Sequence, residues 1–60
     1  MKNKYEVRLQ GFKEDITADG WYIDEDGSVL HFYNAPEANE LNEIVMSYSL
    51  RFVIAWAIIP

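Results

Sequence analysis

The dipeptide Asp26-Gly27 is the feature that most constrains how this chain can fold. Asp-Gly between alternating apolar and polar residues favours a two-residue hairpin turn of type I′, because both central positions need a positive φ angle. Centred there, the turn places Tyr22 opposite His31. It also places Trp21 opposite Phe32. A shift of one residue would mix polar and apolar side chains on both faces, so turn and register support each other.

The two faces of this predicted hairpin differ in chemistry. The inner face carries Trp21, Ile23, Leu30 and Phe32. The outer face carries Tyr22, Asp24, Val29, His31 and Tyr33. Tyrosine is enriched where protein interfaces are centred, so the outer face is the predicted partner-binding site. The alternative is that the chain's own segment 34–42 or 12–18 covers this face. Gly20 falls opposite Tyr33, whose ring can cover a glycine across the ladder.

Large apolar residues also alternate through the C-terminal part of the chain. They are Ile44, Met46, Tyr48, Leu50, Phe52, Ile54, Trp56 and Ile58. One straight strand of this length would extend about 50 Å, which is too long for so small a chain. We therefore predict a bend or a single 3₁₀ turn within residues 49–52. A competing pattern is a helix over residues 36–48, with Asn34 as its cap.

The last predicted strand, residues 53–59, is apolar on both faces. A half-solvated strand would alternate with polar residues instead. Its second face carries Val53, Ala55, Ala57 and Ile59. We predict that these four residues mediate self-association, most simply in a homodimer. The alternative is that the strand docks under segment 34–42.

The predicted fold is all-β. An alternating segment from Tyr5 to Gln10 adds a first strand. Five short strands result, at residues 4–10, 19–24, 28–34, 43–48 and 53–59. Residues 12–19 are predicted to form a loop, anchored on the core by Phe12 and Ile16. The strand order resembles, in architecture only, the antiparallel meander of small SH3-like, partly open barrels. An α+β fold with one helix at 36–48 is the alternative, and residues 1–60 form one small domain in either case.

Composition excludes several kinds of site. The chain has no cysteine and one histidine, so disulfides, thiolate sites and multi-histidine zinc sites are impossible. Aligning Gly27 with the glycine of a calcium-binding EF-hand puts Tyr22 and Tyr33 where that loop needs acids. His31 has Asp24 nearby but no evident nucleophile. We expect no metal, no cofactor and no enzymatic activity.

The charge and hydropathy of the chain indicate which partners it can bind and where in the cell it is expected. Ten acids and five bases give a net charge of −5, and the bases are scattered along the sequence. Nucleic-acid binding needs a Lys/Arg footprint, so it is not expected. An acidic rim could be formed by Glu25, Asp26, Glu37, Glu40 and Glu43, but a merely solvated rim is the favoured explanation of these acids. The apolar stretch 52–59 is too short to span a membrane, and no signal peptide is evident, so a cytoplasmic protein is expected.

These features predict a small acidic, non-catalytic protein–protein interaction module. Chains of this length are often regulators or inhibitors of larger machines, including nucleic-acid-handling ones, and phage products are among them. The partner itself is not identified by any motif. The first alternative is a structural or assembly protein that binds only itself. A weaker alternative is a small barrel that binds nucleic acid.

Overall fold

The computed structural model describes residues 2–36 and 41–60 and is all-β in this part of the chain, as predicted. It contains six strands rather than five: β1 (Asn3–Leu9), β2 (Phe12–Ala18), β3 (Gly20–Ile23), β4 (Val29–Asn34), β5 (Glu43–Ser49) and β6 (Val53–Ile59). The predicted 3₁₀ turn is present at Leu50–Phe52. Because β5 is extended, the alternative helix at 36–48 is wrong, although residues 37–40 lie outside the described part. No helix among the described residues is long and apolar enough to cross a membrane.

The strands form two antiparallel sheets of three strands each. The first sheet has the order β2-β1-β6, and the second has the order β3-β4-β5. Only Asp19 separates β2 from β3, so one extended segment bends there and contributes to both sheets. The 3₁₀ turn likewise carries the chain from β5 in the second sheet to β6 in the first. These two bends let a short chain build two layers that share one core.

Strand β2 corrects the sequence prediction, which placed a loop at residues 12–19. It pairs with β1 along its whole length, from Phe12 opposite Leu9 to Ala18 opposite Asn3. The reversal contains Gly11 with φ 90°, in the left-handed region that favours glycine. Ile16 is buried as predicted, but Phe12 is 61% exposed and does not anchor the core.

The β3–β4 hairpin has the predicted register, with Tyr22 opposite His31 and each neighbouring pair as expected. Its turn differs from a two-residue type I′ turn. The Gly27 N–H donates to the Asp24 carbonyl at 2.8 Å, and the Asp24 N–H donates to the Val29 carbonyl. The reversal therefore uses more than two residues. The alternation of apolar residues supports this register, because a shift of one residue would turn Leu30 and Phe32 to the other face.

The core combines side chains from both sheets. Its buried members are Tyr5, Val7, Leu9, Ile16, Ala18, Leu30 and Phe32. The Phe32 ring lies at its centre, 5.2 Å from the Tyr5 ring and 6.1 Å from the Tyr48 ring. Seven apolar residues are buried, whereas eleven large ones are exposed among the described residues. This balance leaves much apolar surface in contact with water, which is unusual for a soluble monomer.

A β-bulge in β5 changes which residues share a face. Phe32 lies opposite Met46, and Tyr33 lies opposite Ile44, so Val45 is the extra residue. A bulge inserts one residue into one strand and shifts the alternation beyond it. Ile44 consequently lies on the outer face beside Tyr33 instead of on the inner side predicted from the alternation.

A second bulge lies at the start of β6. Arg8 lies opposite Ala55 and Leu9 lies opposite Val53, so Ile54 is the extra residue. Val53 therefore shares the inner face with Leu9 and packs against the core. The four residues predicted to mediate self-association are divided by this bulge, and only the last three share the outer face.

Candidate functional site

The outer face of the second sheet carries three rings in contact, which we call the aromatic face: Tyr22, His31 and Tyr33. The Tyr22 ring stacks on the His31 imidazole, with centroids 4.8 Å apart and planes 27° apart. The Tyr22 and Tyr33 rings lie 6.0 Å apart. Tyr22 is 43% exposed, whereas His31 and Tyr33 are partly buried. The predicted surface is therefore a continuous patch, and no described strand covers Tyr22.

Hydrogen bonds fix the His31 imidazole at both nitrogens. Its Nε2 lies 3.2 Å from Asp24 Oδ2, and its Nδ1 lies 2.6 Å from Ser47 Oγ. An ionised carboxylate only accepts hydrogen bonds, so Nε2–H donates to Asp24. In the neutral imidazole, Nδ1 then accepts from the Ser47 hydroxyl. The other Asp24 oxygen accepts the Val29 N–H at 3.1 Å, which holds the carboxylate in place.

Asp24, His31 and Ser47 are hydrogen-bonded in the same order as the residues of a Ser-His-Asp catalytic triad. A nucleophile of this kind needs donors for a developing oxyanion and an enclosure that excludes water. Ser47 is exposed on the sheet. We interpret the chain of hydrogen bonds as a clamp that positions the ring. The sequence did not reveal Ser47 as a partner of His31, because that pairing depends on the β4–β5 register.

Tyr33 lies over Gly20, as the predicted register implies. A Cβ atom added to Gly20 would lie 2.6 Å from the Tyr33 Oη and 2.8 Å from Cζ. Real Cβ atoms do not approach other atoms this closely, so a larger residue would displace the ring. Glycine at position 20 therefore leaves room for the Tyr33 ring, which lies tilted by 52° to the Tyr22 ring.

The acids predicted to form a rim do not gather in one place. Glu25 and Asp26 lie in the β3–β4 turn, at one end of the aromatic face. Glu43 pairs with Asn34 at the other end, about 17 Å away along β4. Glu37 and Glu40 lie outside the described residues. Strands β3, β4 and β5 contain one acid, Glu43, and no lysine or arginine. The turn between β3 and β4 adds Asp24, Glu25 and Asp26, so the second sheet together with its turn is acidic.

The bases, by contrast, are not scattered in space. Lys4, Arg8 and Lys13 share the outer face of the first sheet, where Glu6 and Asp15 lie between them. Glu6 pairs with Arg8 at 3.2 Å and with Lys13 at 3.5 Å. The Arg8 hydrogen bond and the Lys13 charge lower the pKa of Glu6. Three of the five bases thus lie opposite the acidic second sheet, and the molecule is electrically polarised.

A groove that the sequence did not predict lies where β1, β2 and β5 meet the 3₁₀ turn. It has a volume of about 430 Å³ and is lined by Leu9, Gln10, Phe12, Glu14, Ser47, Tyr48, Ser49 and Phe52. The Tyr48 hydroxyl donates to Glu14 Oε1 at 2.7 Å and links the two sheets. Burial and this carboxylate raise the pKa of Tyr48 above its usual value.

Because the pKa of Tyr48 is raised in the folded chain, we expect the protein to lose stability at alkaline pH. The unfolded chain releases this proton near its ordinary pKa of about 10, whereas the folded chain retains it. Above that pH, the unfolding free energy should fall as pH rises. We expect the urea midpoint to drop further between pH 9 and pH 11 in the wild type than in Tyr48→Phe. An equal drop in both proteins would contradict this assignment.

The residues predicted to mediate self-association lie on β6, at the edge of the first sheet. Ala55 and Ala57 lie opposite Arg8 and Glu6 on its outer face, with Ile59 beyond them. In the described part of the chain, β6 pairs only with β1. Self-association and partner binding would therefore use different sheets.

Comparison of the chain with known protein families, with curated proteins and with solved structures gave no match. Any functional conclusion must therefore come from the geometry and charge of the surfaces described above.

Proposed function

We propose that this chain is a small acidic, non-catalytic module that binds a protein partner through its aromatic face. In this proposal it regulates or inhibits a larger assembly in the cytoplasm. One observation carries the proposal: three rings lie in contact on an outer sheet surface, and hydrogen bonds hold the His31 imidazole in place. Aromatic residues of this kind are the commonest centres of binding energy in protein interfaces.

Rigidity supports this use of the face. Association loses free energy when mobile side chains become ordered, at about 0.5–1.5 kcal/mol for each rotamer-rich side chain. Asp24 and Ser47 already fix the imidazole, and Tyr22 stacks on it. The face is therefore preorganised, and a partner would bind it at little additional entropic cost.

Charge supports a basic partner surface. Acids lie at both ends of the aromatic face, and its three strands carry no lysine or arginine. A partner that presents lysine or arginine around an apolar centre would complement this arrangement. Nucleic acid would be repelled by the same acids. Contacts at the acidic ends are solvent-exposed, so binding should weaken as salt increases.

The double substitution Tyr22→Ala with Tyr33→Ala tests the proposal. It removes two of the three rings from an exposed surface, so folding should survive, whereas capture of the partner should fall at least about tenfold. The measurement is affinity capture from a lysate of the source organism, quantified by mass spectrometry after circular dichroism has confirmed folding.

Phe12→Ala is the matched control for this experiment. It also removes an exposed aromatic ring, but from β2 in the other sheet. Capture by Phe12→Ala should equal that of the wild type. Full capture by the tyrosine variant, or loss in the control alone, would show that another surface binds the partner.

Self-association is a second candidate function, and the exposure of β6 favours it. Ile54 is 65% exposed and Ile58 is 57% exposed, although this strand belongs to the sheet that builds most of the core. A second copy of the chain would remove this apolar surface from water. Light scattering at low micromolar concentration tests the candidate, and a monomer throughout that range would remove it.

A further inference from the structure

The backbone of β6 offers a free edge. In the order β2-β1-β6, β6 pairs with β1 on one side and with no described strand on the other. One row of N–H and C=O groups along β6 therefore faces outward. Such a row is a template for pairing with another strand, and soluble proteins usually protect it with charges, prolines or bulges.

Little protects this edge. The sequence VIAWAII of β6 contains no charged residue and no proline. The bulge at Ile54 disturbs only the start of the strand, and the ladder from Ala55 to Ile59 is regular. Ala55 and Ala57 are small and exposed, so a neighbouring backbone could approach closely.

Charge favours a second copy of this chain as the occupant. Copies with a net charge of −5 repel each other, and repulsion is weakest where the surface is balanced. Glu6 and Arg8 border the shallow cavity beside Ala55 and Ala57, and they carry opposite charges. A two-fold axis brings the same patch of two copies together, so a patch with both signs can be self-complementary. The acidic second sheet cannot meet its own copy in this way.

We infer that β6 pairs antiparallel with β6 of a second copy, so that two first sheets join into one continuous six-stranded sheet around a two-fold axis. This inference rests on the second candidate function and specifies its geometry. The dimer buries the row of outward backbone groups and part of the apolar side chains of β6. It leaves both aromatic faces, which lie on the second sheets, open to a partner.

The first test compares two variants that add the same charge. Ala55→Glu places a carboxylate on the paired strand, whereas Leu41→Glu places it at a residue that is 92% exposed and belongs to no strand. Sedimentation equilibrium should give about twice the chain mass of 7.0 kDa for the wild type and for Leu41→Glu. Ala55→Glu should raise the dimer dissociation constant at least tenfold while its circular dichroism spectrum stays that of the wild type.

The second test does not depend on a variant. In a mixture of ¹³C-labelled and unlabelled wild-type chains, isotope-filtered NOEs should connect the Ala55 and Ala57 methyl groups of one copy to β6 of the other. A monomer at every concentration would overturn both the dimer and the second candidate function. A dimer that lacks these NOEs and tolerates Ala55→Glu would overturn the edge pairing alone. Neither result bears on the aromatic face, which the tyrosine variant tests.

Discussion

Replacing Phe32 with alanine is expected to remove at least about a third of the free energy of unfolding at 25 °C. Phe32 is fully buried and contacts rings from both sheets. Truncating a buried phenylalanine costs about 3–5 kcal/mol. A chain of this length is stable by about 3–9 kcal/mol in total. The loss should appear as a collapse of the urea unfolding midpoint, followed by circular dichroism and tryptophan fluorescence.

Phe12→Ala again provides the control, because it deletes the same side chain from an exposed position. Exposed substitutions usually change stability by less than about 0.5 kcal/mol. We therefore expect its urea midpoint to match that of the wild type. Similar midpoints for the two alanine variants would mean that the core is not centred on Phe32.

The second large effect is expected from Asp24→Ala. This substitution removes one hydrogen bond to the Val29 N–H and one to the His31 imidazole. Hydrogen bonds to a charged group contribute about 1.5–3 kcal/mol each when shielded, and Asp24 is partly solvated, so we expect a loss of about 2 kcal/mol in all. The His31 ring should also leave its stacked position. Chemical shifts of the Tyr22 ring protons report that movement directly.

Asp26→Ala is the matched control for Asp24→Ala in the same turn. The Asp26 carboxylate accepts from the Ser28 N–H and hydroxyl, and these bonds lower its pKa. Neither of these hydrogen bonds involves His31. Its removal should loosen the turn but leave the Tyr22 ring shifts unchanged. If both variants shift the Tyr22 signals equally, Asp24 does not position the imidazole.

The hairpin could be predicted because two independent signals agree on it. Alternation places Leu30 and Phe32 on one face, and Asp26-Gly27 marks the reversal. The details of the turn could not be predicted, since several turn geometries join strands in the same register. The register determines which rings meet, so the aromatic face was predictable while its clamp through Ser47 was not.

Strand β2 was missed for a physical reason. Its inward positions are Phe12, Glu14, Ile16 and Ala18, so an acid and an exposed ring interrupt the apolar series. Glu14 is tolerated there because it lies at the rim of the groove and accepts the Tyr48 hydroxyl. Without β2, the sequence also could not show that Lys4, Arg8 and Lys13 share one face.

The two β-bulges could not be predicted from the sequence either. Val45 and Ile54 are ordinary strand residues, and nothing in their type marks an inserted position. Each bulge reverses the alternation on one side of it, which is why Ile44 and Val53 lie on faces opposite to those predicted. The break between β5 and β6 was predictable, because one straight strand would be too long for the chain, although length alone did not distinguish a bend from the 3₁₀ turn that is present.

The most direct test of the aromatic face is a photo-crosslinking experiment in the source organism. A benzophenone amino acid would replace Ile44, which lies beside Tyr33, in one chain and Phe12 in another, since both positions are exposed and lie on different sheets. We predict that irradiation links a basic protein to position 44 and not to position 12. A product at position 12 alone, or at neither position, would contradict the assignment of this face as the docking surface.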